Sequence, residues 1–244
     1  DTSRPHPSTA ATAQREGRGE RSVLHISDLH LGPPFHPEVA EKLLEMAHDL
    51  EPDLVVASGD LTQRARRDQF TDAAAYLERL PAVPRVVVPG NHDVPLYRVV
   101  ERLTRPRGLY RELITDTLDQ VIRLDGMVIV ALDSTSPRRA VSNGRIHISQ
   151  LDLCTRAFRD LPPEVMRVVV AHHHFVPAPD WERDRPMPKA KRALDRFVEL
   201  KVDLILGGHL HRAYIGSSLD VYRGPDPAHG IIIVQCGTST SRRG

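Results

Sequence analysis

The sequence predicts an α/β protein with mixed sheets and a functional site at the carboxyl ends of its strands. Three observations carry this reading. Short runs rich in Val, Ile and Leu recur without polar alternation, the pattern of strands buried on both faces. Helical patterns lie between them, as βαβ units require. Each run also stops in a polar cluster of Asp, His, Asn and Gly, where open α/β sheets bind their ligands.

Taken in order, residues 1–20 (DTSRPHPSTAATAQREGRGE) lack apolar periodicity and read as a flexible tail, leaving 21–244 as one domain. Buried strands are expected in SVLHISD (22–28), DLVVASGD (53–60), RVVVPGNHD (85–93), RVVVAHHHF (167–175) and VDLILGGHLH (202–211). The stretch from Pro37 to Leu50 reads as a helix. Its proline starts the helix where a missing N–H costs nothing, and Val39, Leu43, Met46, Ala47 and Leu50 form one face. Further helices are expected from Asp68 to Leu80, Ser149 to Asp160 and Ala190 to Leu200. VIRL and MVIVALD flank Asp125-Gly126, a two-residue hairpin signal. An all-β stretch from Tyr214 to Ser241 closes the chain.

Composition excludes several classes. With 40% hydrophobic and 27% charged residues over 244, the chain is an ordinary globular one. Lys+Arg 33 against Asp+Glu 32 leaves a net charge of +1, so nucleic acid is disfavoured as the main partner. The longest apolar runs, such as Val86 to Val88 and Ile231 to Val234, fall far short of the roughly 18–20 residues of a membrane span. Cys154 and Cys236 have no C-x-x-C spacing, which argues against a disulfide framework or zinc ribbon and for a cytoplasmic home. No G-x-G-x-x-G follows a strand, so a dinucleotide fold has no support. A homodimer is compatible with all of this.

The strand tips carry the chemistry. They read Asp28-Leu29-His30, Gly59-Asp60, Gly90-Asn91-His92-Asp93, His172-His173-His174 and Gly208-His209-Leu210-His211. Any one such histidine is more often structural than ligating, but seven of the thirteen sit on these five tips. Imidazoles and carboxylates without a thiolate suit Mn²⁺, Fe, Zn²⁺ or Co²⁺. The donors are too many for one tetrahedral ion and enough for two that share a carboxylate. Two metals about 3.5–4 Å apart form a clamp for in-line displacement at phosphorus, acidifying a water and neutralising the phosphoryl oxygens.

The ordered set D-x-H, G-D, G-N-H-D, a histidine-bearing tip and G-H-x-H resembles the calcineurin-like metallophosphoesterases, from residue 22 to about 241. ISDLHLG, GDLTQR, GNHDVPLY, HHHFVP and GGHLHRAY are similar to the bacterial class III cyclic-nucleotide phosphodiesterase branch. The resemblance implies a four-layer α/β/β/α sandwich with two mixed β-sheets and the active site at the strand C-terminal ends. It implies two divalent ions (Mn²⁺, Fe²⁺/Fe³⁺ or Zn²⁺) and a small phosphoester substrate, a diester in the first place. Asp28, His30 and His211 would hold one ion and Asp60 would bridge. Asn91, one histidine of the triple and His209 would hold the other. Relatives read H-x-P at the triple; aligning Phe175 with that proline makes His173 the expected ligand, with His172 and His174 as alternatives. His92 would be the non-ligand acid, with Asp93 orienting its ring. Asn91, Arg64 and His174 are the expected substrate contacts.

Departures narrow the branch. Gln63 stands where purple acid phosphatases carry a tyrosine, and GDLTQRA and GNHD differ from the GDxxDRG and GNHE of protein Ser/Thr phosphatases. The retromer scaffold relative has lost active-site histidines, whereas none is missing here. The alternatives are a broad-specificity phosphomonoesterase or a nuclease and, outside the enzymes, a catalytically silent scaffold of the same fold. The closing hairpin reads as incomplete at Gly244. Weaker features are Trp181 as a substrate lid within Phe175 to Pro188, and an arginine-rich face from Arg98 to Arg111.

Overall fold

The computed structural model describes residues 20–138, 144–178, 185–222, 224–226 and 228–240. The expected tail over 1–20, except Glu20, lies outside them, as do Trp181 and the last residues to Gly244. Strands β1 (Val23–Ile26), β2 (Leu54–Ala57) and β3 (Arg85–Val87) form one sheet in that order, wholly parallel. The second sheet has the order β4-β5-β6-β7-β9-β8: β4 (Gln120–Leu124), β5 (Met127–Leu132), β6 (Met166–Ala171), β7 (Leu204–Gly207), β8 (Tyr214–Ser217) and β9 (Ile232–Gln235). Of the two sheets expected to be mixed, only this one is. Both antiparallel pairs, β4 with β5 and β8 with β9, fall within it.

Alternation along the strands builds the layers. On β2, Leu54 and Val56 face the second sheet, where they meet Ile129, Val168 and Val170. Val55 and Ala57 face helices α1 (Pro37–Leu50) and α2 (Arg67–Glu78) on the outside. Two short helices follow, α3 (Val99–Thr104) and α4 (Gly108–Leu113), and Tyr110 of α4 is fully buried with this group. On β5, Val128, Val130 and Leu132 pack against α5 (Ile148–Phe158) and α6 (Ala190–Glu199). Helix, sheet, sheet and helix thus stack around three apolar cores, the expected four layers.

Helix α1 has the expected ends but not the expected face. Ala40, Leu44 and Ala47 are buried, while Val39, Met46 and Leu50 are about half exposed. Small side chains at 40 and 47 let the helix lie close to the sheet, and Tyr76 donates its hydroxyl to the Ala40 carbonyl at 3.0 Å. The Asp125-Gly126 turn closes the β4–β5 hairpin, pairing Leu124 with Met127, with Gly126 in the left-handed region at φ 72°. The C-terminal stretch is not all β. A helical turn, α7 (Ser218–Val221), separates β8 from β9 because Ser217 caps it: Leu219 N–H donates to Ser217 Oγ, and Asp220 accepts from Ser217 N–H. No helix among the described residues is long and apolar enough to cross a membrane.

Candidate metal centre

The first two strand tips run side by side beyond their strands. Asp28 N–H donates to the Gly59 carbonyl at 3.0 Å and His30 N–H to that of Asp60 at 2.9 Å. Within this ladder Asp28, His30 and Asp60 hold left-handed backbone at φ 54°, 46° and 51°, as do His209 (78°) and His211 (56°). Non-glycine residues avoid this region, and such strain concentrates at functional sites. Close approach is enforced from two further tips. A Cβ at Gly90 would collide with the Asp60 carboxylate, and one at Gly208 with Asp28 and Ser27.

Two clusters of oxygen and nitrogen atoms result. In the first, atoms of Asp28, His30, Asp60 and His211 all lie within 4.8 Å of one another. His30 Nε2 and His211 Nε2 are 3.0 Å apart, and His211 Nε2 is 3.2 Å from Asp28 Oδ1. That oxygen is buried and accepts no well-aligned hydrogen bond. In the second group His172 Nδ1 donates to the Ser58 carbonyl at 2.8 Å. Its Nε2 then faces Asp60 Oδ2 and Asn91 Oδ1, each at 3.3 Å. His209 Nδ1 is 2.9 Å from the same Asn91 oxygen. Asp60 joins the groups: Oδ1 accepts the His92 N–H at 2.8 Å, while Oδ2 lies 3.3 Å from His172 and 3.8 Å from His30.

The electrostatics call for positive charge. Burial raises both Asp28 and Asp60, but the imidazoles outweigh it: His211 and His30 hold Asp28, and His172 holds Asp60, well below the usual carboxylate range. Burial would depress His172, yet Asp60 and Asp28 lift it to about 9. His209, buried and facing His172, is pushed down to about 3, a neutral donor. Buried carboxylates converging with imidazoles form an oxygen and nitrogen donor set for divalent cations, and a bound cation would take over the positive charge that His172 otherwise supplies. The residues fit the expected ions.

Two expectations change here. At the histidine triple the ring among the donors is His172, not His173. His173 Nδ1 sits 2.8 Å from Ser134 Oγ, with its Nε2 buried and unpaired. The reason is strand parity: Val168 and Val170 point between the sheets, and Val169 and Ala171 toward the helices. His172 keeps its backbone in register by accepting Gly208 N–H at 3.1 Å, so it continues the inward row. His174 is buried and stacks on His209, with centroids 5.6 Å apart.

Asp93, in turn, does not orient His92. Its carboxylate accepts N–H bonds from Leu61, Thr62 and Gly90 at 2.9–3.1 Å and ties the β2 and β3 tips together. Burial, then Asp60, raise it to about 6. The His92 ring is held instead by the Gln63 carbonyl, which accepts from Nδ1 at 2.9 Å. Arg64 points to Tyr97, donating to its hydroxyl at 3.2 Å and lying over its ring. Gln63 acts through its backbone and had no signature in the sequence. Ser134 did have one, since LDST is a sixth polar strand tip, after β5.

The sequence model described as calcineurin-like phosphoesterase matches residues 21–213. A 3',5'-cyclic adenosine monophosphate phosphodiesterase of Pseudomonas aeruginosa is 29% identical over 239 residues, covering 90% of this chain and 76% of its own. A cAMP/cGMP dual specificity phosphodiesterase of Mycobacterium tuberculosis is 27% identical, covering 82% of this chain and 64% of its own. Among solved structures, a purple acid phosphatase from yellow lupin aligns with TM-score 0.65 at 14% identity, over 91% of this chain and 45% of that one. A dimetal phosphatase from Danio rerio aligns with TM-score 0.62 at 12% identity, over 90% and 88%. These structures share the fold.

Proposed function

The chain belongs to the calcineurin-like phosphoesterase family, and from that premise we propose that it hydrolyses phosphodiesters at a centre of two divalent ions, with cyclic nucleotides the leading natural substrates. One observation carries the dinuclear reading: Asp60 Oδ2 stands between two separate donor groups, facing His30 on one side and His172 on the other. Asp28, His30, Asp60 and His211 would hold one ion, and Asp60, Asn91, His172 and His209 the other. Bound there, Mn²⁺, Fe²⁺/Fe³⁺ or Zn²⁺ would supply acidified water and charge neutralisation at phosphorus.

The chain's own groups do the rest. A carbonyl only accepts, so His92 Nδ1 must carry the proton it gives to Gln63. Its Nε2 is then the atom free to serve the leaving oxygen, from a half-buried ring packed edge-on to His30. Asp93 keeps the β2 and β3 tips in register, so that His92 N–H and Asp60 stay together.

The diester reading is supported by the cyclic-nucleotide phosphodiesterases among the relatives and by the absence of protein-phosphatase wording around Asp60 and His92. The protein reconstituted with Mn²⁺ should turn over bis(4-nitrophenyl) phosphate with a higher kcat/KM than 4-nitrophenyl phosphate. A ratio favouring the monoester at neutral pH moves the assignment to phosphatase. For the ligand set, His172→Ala should lose the second ion, while His173→Ala should retain both with a smaller loss of rate. Elemental analysis of the two variants decides it, and ion loss on His173→Ala alone restores His173 as the ligand.

A further inference from the structure

A second cleft adjoins the metal centre on its β5 side. It has a volume of about 410 Å³ and is walled by Pro106, Arg107, Thr135, Arg138, Arg145 and His147 among others, with no Asp or Glu in its lining. The two sites share a partition. Ser134 Oγ contacts His173 at 2.8 Å and Gly144 lies against the same ring. Thr135 and Arg145, the next residues along, open into the cleft. Arg145 N–H donates to the Ser134 carbonyl at 2.8 Å, which locks the two segments together.

Its charge is only partly compensated among the described residues. Arg107 is spoken for: it pairs with Asp133 and donates from Nη2 to the Thr135 carbonyl and hydroxyl at 3.0 and 2.7 Å, so it forms a fixed wall. Neither Arg138 nor Arg145 has a carboxylate partner among the described residues, and Arg145 Nε is buried without any hydrogen bond. A buried guanidinium N–H with nothing to donate to is costly unless a ligand supplies the acceptor. Arginine forks match phosphate oxygens in particular.

We propose that this cleft is a second anion subsite, taking a phosphate other than the one attacked. It rests on the phosphodiesterase reading but departs from the cyclic mononucleotides, whose single phosphate is the one attacked: the substrate class becomes a small nucleotide diester that carries a further terminal phosphate. The subsite would act mainly through KM, since it touches neither the attacked phosphorus nor the leaving group.

The test compares two dinucleotides, adenylyl-adenosine with and without a 5'-terminal phosphate, in 0.1 M salt with the Mn²⁺ enzyme. The phosphorylated one should have a kcat/KM about tenfold higher, mostly through KM, equivalent to about 1.4 kcal/mol. Arg138→Gln with Arg145→Gln should reduce that advantage to about twofold or less and leave bis(4-nitrophenyl) phosphate turnover unchanged. Arg138→Gln alone, at an exposed residue, reads the same effect in part should the pair fold poorly. Equal kcat/KM values for the two dinucleotides, or an advantage that survives both substitutions, would overturn the subsite. If neither dinucleotide is cleaved, the phosphodiesterase reading is still judged by bis(4-nitrophenyl) phosphate, so the two failures stay distinguishable. Calorimetric titration with the same two compounds then decides the subsite, equal affinities rejecting it.

Discussion

Asp60→Asn is expected to be the most damaging single change in this protein, lowering kcat by about 10³-fold or more. The carboxylate is fully buried and one of its oxygens faces both donor groups, so its charge serves two ions at once. The amide keeps the shape and can still accept the His92 N–H, so the loss reads charge and not collapse of the tip. His209→Ala removes one neutral donor from one group and should be partly rescued by excess metal. Steady-state rates across a Mn²⁺ titration separate the two cases. Full activity of Asp60→Asn at ordinary metal levels would contradict a bridging role.

His92→Asn should keep both ions and lose rate. General acid help is worth about 10²–10⁴-fold, most when the leaving oxygen is basic. The loss should therefore be large for a ribose alkoxide and small for 4-nitrophenolate, which departs without a proton. The ring is anchored by the Gln63 carbonyl and contacts His30 only edge-on, so its removal leaves the donor atoms in place. Measuring both substrates on one variant settles the role. Equal losses would mean electrostatic stabilisation, and loss of an ion would mean that His92 is a ligand.

The parts of the fold that were legible in the sequence are those set by local pattern. Apolar runs bounded by polar tips marked β1, β2, β3, β6 and β7, five of the seven strands that pair in parallel, and Pro37 and Leu50 bound α1 as the sequence predicts. The residues that converge at the candidate site were legible because Asp, Asn and His recur at the ends of successive strands. What stayed hidden depends on three-dimensional register. Which histidine of 172–174 turns inward follows from the parity of Val168 and Val170, and parity has a meaning only once one knows which face meets the other sheet. The buried face of α1 differs from the one hydrophobicity picks, because Val39 and Met46 are the larger apolar residues but closeness to the sheet favours Ala40 and Ala47. The support of His92 came from a backbone carbonyl, which no residue type announces.

If Asp60 joins two metal sites, the stoichiometry of bound metal must show it. Protein loaded with excess Mn²⁺, desalted and measured by elemental analysis should hold close to two ions per chain. The same protein with His172→Ala should hold close to one. A wild-type value of one or below, in protein whose circular dichroism shows intact folding, would contradict the dinuclear account.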